Sequence, residues 1–246
     1  MVPGPDWSAP WMSGYRDAGL ALQQHLQSGL TVAEALNALV REVPPARQPR
    51  LRGQVLRFVG QAVLPAGRGY EDFIASEAAV PTRDNWHDAL NGLVWLRWPA
   101  LKAHLNALHQ QGLQSAAGEG RRGALRDALT LFDENGAWLE APAALGDALR
   151  QRDWRRLFVE LRPLWAQARL HLLGHALMEK LMQPRKPICA HVLLSDPLAL
   201  QPPDWAGKPF CPLPVLGVPG WWPANEVPQF YGDTQVFRPR SGLQCG

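Results

Sequence analysis

The stretch Pro81-Thr-Arg-Asp-Asn-Trp-His-Asp-Ala-Leu-Asn-Gly-Leu-Val-Trp-Leu-Arg-Trp-Pro99 opens a helix and gives it two unlike faces. Asp84 or Asn85 is placed to cap the free amide groups at its start. His87, Asp88 and Asn91 lie three or four residues apart and therefore share one side. Trp86, Leu90, Leu93 and Val94 point elsewhere, as the apolar stripe of a core helix does. An imidazole, a carboxylate and a carboxamide are thus aimed at one point, in the way that catalytic and binding sites are built.

The rest of the composition describes the body around this helix. With 246 residues, of which 46% are hydrophobic and 19% charged, the chain has the length and balance of a soluble globular protein with a sizeable core. The formal charge of +3 is compatible with nucleic acid, but the basic residues are interleaved with acids. The only clusters are Arg121-Arg122 and the run Arg150, Arg152, Arg155, Arg156, which alternates with Asp147, Asp153 and Glu160 as a solvated helix face does. Nucleic acid is not an expected partner. The eleven tryptophans require burial or a pocket wall. Cys189, Cys211 and Cys245 form no CxxC pair, so a reducing cytoplasm is the expected compartment. The N-terminus lacks a basic and an apolar leader region, and no apolar run is long enough to cross a bilayer.

Along the chain, residues 1–12 read as an irregular, proline-containing arm, 13–239 as a single globular domain and 240–246 as a flexible tail. Leu20, Leu22, Leu26 and Leu30 recur at helical spacing, and Gly29 marks a stop. Thr31-Val-Ala-Glu34 is a capping box for a helix that ends at Pro44-Pro45. Further helices are expected at about 47–62, 70–77, 85–97, 99–113, 143–150 and 153–183, the last open to a break at Pro163. A polar loop is expected at 115–123. Ala128–Phe132 and Ala137–Leu139 read as two strands joined through Asn135-Gly136, a small β-hairpin. Beyond Pro184 the chain becomes rich in proline and tryptophan, with one strand at 190–194. The expected class is α+β: a mainly helical single domain with a small hairpin and an irregular C-terminal wrap.

Several blocks resemble an uncharacterised bacterial family, domain of unknown function 3025. They are Tyr70-Glu71 with Phe73, Val80 to Asp88 with Asn91 and Trp95, Arg126 to Glu134 with Gly136, Gly174 to Leu177 with Glu179-Lys180, Ala190-His191, Leu213 to Trp221, and Phe230-Tyr231 with Val236 to Arg238. The resemblance spans about residues 65–239 and implies a soluble bacterial protein. It brings no activity, substrate or cofactor with it.

A second polar constellation is expected on the helix at 153–183, where His171, His175 and Glu179 at i, i+4 and i+8 would share a face. Two imidazoles one turn apart can chelate a transition metal and a carboxylate can extend the shell, although the spacing is not HExxH. The expected metal ligands are His87, Asp88, His175 and Glu179, with a divalent transition metal such as zinc as the cofactor. The candidate catalytic residues are the same four with Asp133; Glu134 stands beside Asp133 as a further carboxylate. Asn91, Arg83, Trp95, Trp221 and Tyr231 are the candidate substrate contacts, the aromatic strap 213–231 closing the pocket. Cys189 and His191 would share a strand face but make a weak nucleophilic pair.

Two functions follow. One is an acid/base or metal-assisted, hydrolase-like enzyme for a small polar substrate, with a cleft between the two polar helices. The other is a non-catalytic ligand-binding or adaptor protein, whose His, Asp, Glu and Asn groups form a structural hydrogen-bond network. A small-molecule ligand is expected under both, with no membrane partner; oligomeric state is left open.

Overall fold

The computed structural model describes residues 3–115 and 123–240. The expected loop at 115–123, the Arg121-Arg122 pair, the first residues of the arm, Cys245 and the tail after Arg240 lie wholly or partly outside them. The chain is mainly helical α+β and divides into two compact units. The first comprises residues 1–8, 12–130 and 201–208; the second comprises 9–11, 131–200 and 209–246.

In the first unit α1 (Arg16–Gln27) turns at Gly29, whose φ of +95° suits glycine, into α2 (Val32–Glu42). The capping box forms as expected: the Thr31 hydroxyl accepts from the Glu34 amide at 3.3 Å and the Glu34 carboxylate from the Thr31 amide at 2.8 Å. After Pro44-Pro45 comes a tight hairpin, β1 (Arg50–Leu51) with β2 (Gln54–Val55). Its two turn residues, Arg52 and Gly53, both have positive φ.

β3 (Arg57–Gly60) pairs in parallel with β4 (Ala79–Thr82), the connection carrying α3 (Tyr70–Glu77). The helix expected at 47–62 is therefore replaced by three short strands. Leu56 and Phe58 are buried while Arg57 is exposed, a period of two that a helix reading overlooked. α4 (Trp86–Arg97), α5 (Pro99–Ser115) and the start of α6 (Ala124–Asn135) complete the unit.

α2 packs on α4 at Gly92, where a Cβ would lie 2.2 Å from Leu36 Cδ1. The Asp84 carboxylate ties the same pair by accepting the Val32 amide at the start of α2, at 2.8 Å. Asn85 caps α4, accepting the Asp88 amide at 2.8 Å.

The second unit is built on a four-stranded sheet in the order β6-β5-β7-β8, where β5 is Gly136–Glu140, β6 Arg169–Leu172, β7 Cys189–Leu193 and β8 Cys211–Pro214. Only β5 and β7 run parallel. The hairpin expected at 128–139 is not formed: α6 continues to Asn135, and β5 starts at the next residue. Ala128, Leu129 and Phe132 are fully buried at i, i+1 and i+4, a helical stripe. Gly136 serves the abrupt exit, since a Cβ there would lie 2.3 Å from the Phe132 carbonyl oxygen.

The helix expected at 153–183 is likewise broken. A π turn (Arg156–Glu160), a 3-10 turn (Arg162–Gln167) at Pro163, β6 and the short α8 (His175–Lys180) occupy that span, while α7 (Ala143–Gln151) lies where expected. The C-terminal strap folds as a series of 3-10 turns over Phe158, which stacks on Trp154, Trp165 and Tyr231 with centroids 4.9 to 6.2 Å apart.

Asn85→Ala removes the cap of α4 and is expected to lower stability by about 1 kcal/mol. The midpoint of urea unfolding, at unchanged slope, measures it.

Candidate functional site

The polar residues of the two units are put to different uses. In the first unit most of them are consumed by the fold. Asp88, 9% exposed, accepts from the Arg83 amide at 2.7 Å, from its Nε at 3.1 Å and from its Nη2 at 2.8 Å. This clamp closes the entry to α4 and engages both carboxylate oxygens of Asp88 with Arg83, two of the expected site residues, at the start of the helix. Asn91 is buried too: its amide donates to the Tyr70 hydroxyl at 3.2 Å and its carbonyl accepts from Lys102 Nζ at 2.9 Å. Trp95, another candidate contact, is 2% exposed and packed in the core with Lys102 Nζ 5.4 Å from its ring centroid. His87, one turn before Asn91 on α4, is half-buried.

One feature of this unit escaped the sequence reading. Lys102, Asn106 and His109 lie at i, i+4 and i+7 on α5 and all are buried, at 6%, 3% and 6% exposure. The Asn106 amide donates to the Glu71 carboxylate at 2.7 Å and to the Glu71 carbonyl at 2.9 Å. The available signal was the helical spacing of these polar residues between Leu101, Leu105 and Leu108. It carries weight only once that face is known to be inside.

The second unit brings together an imidazole and two carboxylates at the ends of two helices. α6 ends at Asp133, Glu134 and Asn135, and α8 begins at His175. Gly174 makes the junction possible, because a Cβ there would sit 2.6 Å from the Cα and N of Asn135 and from the Glu134 carbonyl oxygen. The amides of Leu173 and Gly174 both donate to the Gly136 carbonyl, at 3.0 and 2.8 Å, and Lys180 Nζ donates to Asn135 Oδ1 at 2.6 Å.

The imidazole of His175, 4% exposed, is thereby held between two carboxylates. Asp133 Oδ2 lies 3.8 Å from Nδ1 and Glu134 Oε2 lies 3.5 Å from Nε2. Asp133 and His175 are together as expected candidates. Glu134, the neighbouring carboxylate, joins them on equal terms. Glu179 follows one turn later on α8 and is exposed.

His171 leaves the set. It lies in β6 and contacts Glu140 at 2.7 Å, so the three-residue helical face with His175 and Glu179 does not exist. Tyr231, a candidate substrate contact, is engaged within the strap. Its hydroxyl donates toward the carbonyls of Gly217 and Asn225, at 3.0 and 3.1 Å, and accepts from Arg162 at 3.2 Å, pinning the strap. Trp221 packs on Trp11 at 6.3 Å. His191, opposite Gly136 in the sheet register, is held below the usual histidine range by burial and then by the Lys180 charge. Although Cys189 as a residue is exposed, desolvation pushes its thiol up to about 11, so it supplies no thiolate near neutrality.

A mainly helical α+β chain with a carboxylate-flanked buried histidine is the class that these observations define. Compared with known protein families, residues 56–203 and 194–241 match the family described as protein of unknown function (DUF3025), and the chain belongs to that family. No curated protein and no solved structure matches it. No helix among the described residues is long and apolar enough to cross a membrane.

Alkylation of Cys189 by iodoacetamide is expected to stay slow at neutral pH and to climb only as the pH nears about 11. Mass-spectrometric quantification of the modified residue against pH measures it; a rise centred near the ordinary thiol value would contradict the burial.

Proposed function

We propose that this chain is an acid/base or metal-assisted enzyme, hydrolase-like in chemistry, that acts on a small polar substrate at His175. The observation that supports this is the buried imidazole with a carboxylate on each ring nitrogen, 3.8 and 3.5 Å away. Two ligands about 2.1 Å from a zinc ion at tetrahedral angles are themselves about 3.4 Å apart. The separation of His175 Nε2 from Glu134 Oε2 matches such an edge. Asp133, 3.8 Å from the far nitrogen, is placed to orient the ring once the two close to hydrogen-bond distance, as second-shell carboxylates do for metal-bound histidines.

A divalent ion held there would lower the pKa of a bound water and supply a nucleophile near neutrality. His87 and Glu179 are kept in the proposal as further donors from their sequence context. Asp88 is not, because Arg83 occupies it. Should no metal bind, His175 with Asp133 as orienting group is a general base. A reducing cytoplasm remains part of this reading; the two described cysteines are free thiols. Nucleic acid is not the proposed partner.

A second reading is a non-catalytic ligand-binding or adaptor protein. It is supported by the buried Lys102–Asn91–Tyr70 chain and the Asn106–Glu71 pair, where polar groups are spent on joining helices.

Elemental analysis after dialysis against excess zinc separates the two. The enzyme reading expects about one tightly held ion per chain, lost in His175→Gln and Glu134→Gln with the fold retained by circular dichroism, and held more weakly in His87→Ala. Metal-free wild-type protein, together with variants that lose stability and change no hydrolytic activity against ester and amide probes, overturns it in favour of the second reading.

A further inference from the structure

The first unit contains a half-open cavity of about 450 Å³ between α1, α2 and the end of α4, which is within the size range of small-molecule sites. It is remote in chemistry from the His175 cluster and shares no residue with it. Its floor is apolar: Leu39 and Leu93 are buried, and Ala18, Ala21, Val43 and Leu96 continue the surface. Tyr15 completes the floor as a neutral phenol, since burial raises its pKa far above the ordinary value against the smaller opposing effects of Trp98 and Arg97.

The rim carries opposite charges. Arg97 stands on one side, its guanidinium 5.4 Å from the centroid of the Trp98 ring. It also lies against Gly14, where a Cβ would approach Nε to 3.2 Å. The missing side chain and the indole together fix a long flexible cation in place. Asp17 and Glu42 carry the negative charge. Glu42 is already paired with His25 at 3.2 Å, whereas among the described residues Arg97 and Asp17 make no ion pair with each other or with another side chain.

This distribution selects a ligand. A phosphate or other dianion would meet two carboxylates, a simple cation would meet Arg97, and a hydrocarbon would leave both rim charges uncompensated. A molecule with one carboxylate, one ammonium and an apolar body satisfies all three parts of the lining, with charge-assisted hydrogen bonds at both ends. We propose that this cavity is a binding site for a small apolar zwitterion, an apolar amino acid or a dipeptide of such residues, whose carboxylate sits on Arg97 and ammonium on Asp17 while its side chains cover Leu39, Leu93 and Leu96.

Isothermal titration of the full chain with leucyl-leucine, its C-terminal amide and its N-acetyl form tests each contact separately. Saturable binding of leucyl-leucine is expected. Arg97→Gln should weaken it about tenfold or more while leaving the amide unchanged, and Asp17→Asn should weaken it similarly while leaving the N-acetyl form unchanged. Both residues are exposed, so the variants keep the fold, and Ala21→Trp, which fills the cavity, should abolish binding of all three. Absence of saturable leucyl-leucine binding, or binding that neither charge variant alters, overturns the proposal. None of these outcomes depends on metal content or hydrolytic activity.

Discussion

The close backbone approach at Gly174 is the constraint on which the second unit's histidine–carboxylate cluster depends. Three side chains meet because the last turn of one helix and the first residue of another are brought to within a Cβ's width, not because any side chain reaches far. The two amide donations to the Gly136 carbonyl hold that junction, and the glycine at 136 allows α6 to stop and β5 to begin without an intervening loop. Both glycines thus serve tight contact, and neither has a positive φ. A site assembled at element ends rather than on loops has little freedom to wander, which suits a group that must meet a substrate or ion at fixed distance.

The first unit treats similar residue types differently. Asp84 and Asp88 lie four residues apart, yet one caps α2 and the other is clamped by Arg83 beside the cap of α4. A buried carboxylate that accepts several hydrogen bonds from one neighbour stiffens a fold. Lys102 shows the same economy, with Asn91 and the Trp95 ring beside its ammonium. Residue type alone does not separate these structural groups from the His175 cluster; what separates them is which elements bring each group together with its neighbours.

Much of the helical framework was legible because its signals are local. The Thr31 capping box, the Asn85 cap, the stop at Gly29 and the breaks at Pro44-Pro45 each depend on neighbours within a turn. The errors arose where short apolar runs fit two periods. Leu129, Phe132 and Leu139 suit a hairpin in isolation, and only the packing of α6 decides that the first two are helical while the third is strand. The same ambiguity placed His171 on a helix face that the break at Pro163 and strand β6 remove. His175 and Asp133 were found as candidates by residue type, but their meeting depends on contacts distant in sequence that no periodicity encodes. The buried row on α5 stayed hidden for the converse reason: polar residues at helical spacing look like a solvated face until something covers them.

The angular setting of α6 has a consequence of its own. The carboxylates of Asp133 and Glu134 flank the imidazole from adjacent positions at the very end of a twelve-residue helix. Each residue advances a helix by about 100°. A single-codon insertion upstream of Asp133 would therefore leave the helix wound as before yet swing both acids about a quarter of the way round its axis. Drift in chain length is thus far less tolerable inside this helix than in the connections on either side of it, and the two acids bind the evolutionary freedom of every α6 residue that precedes them.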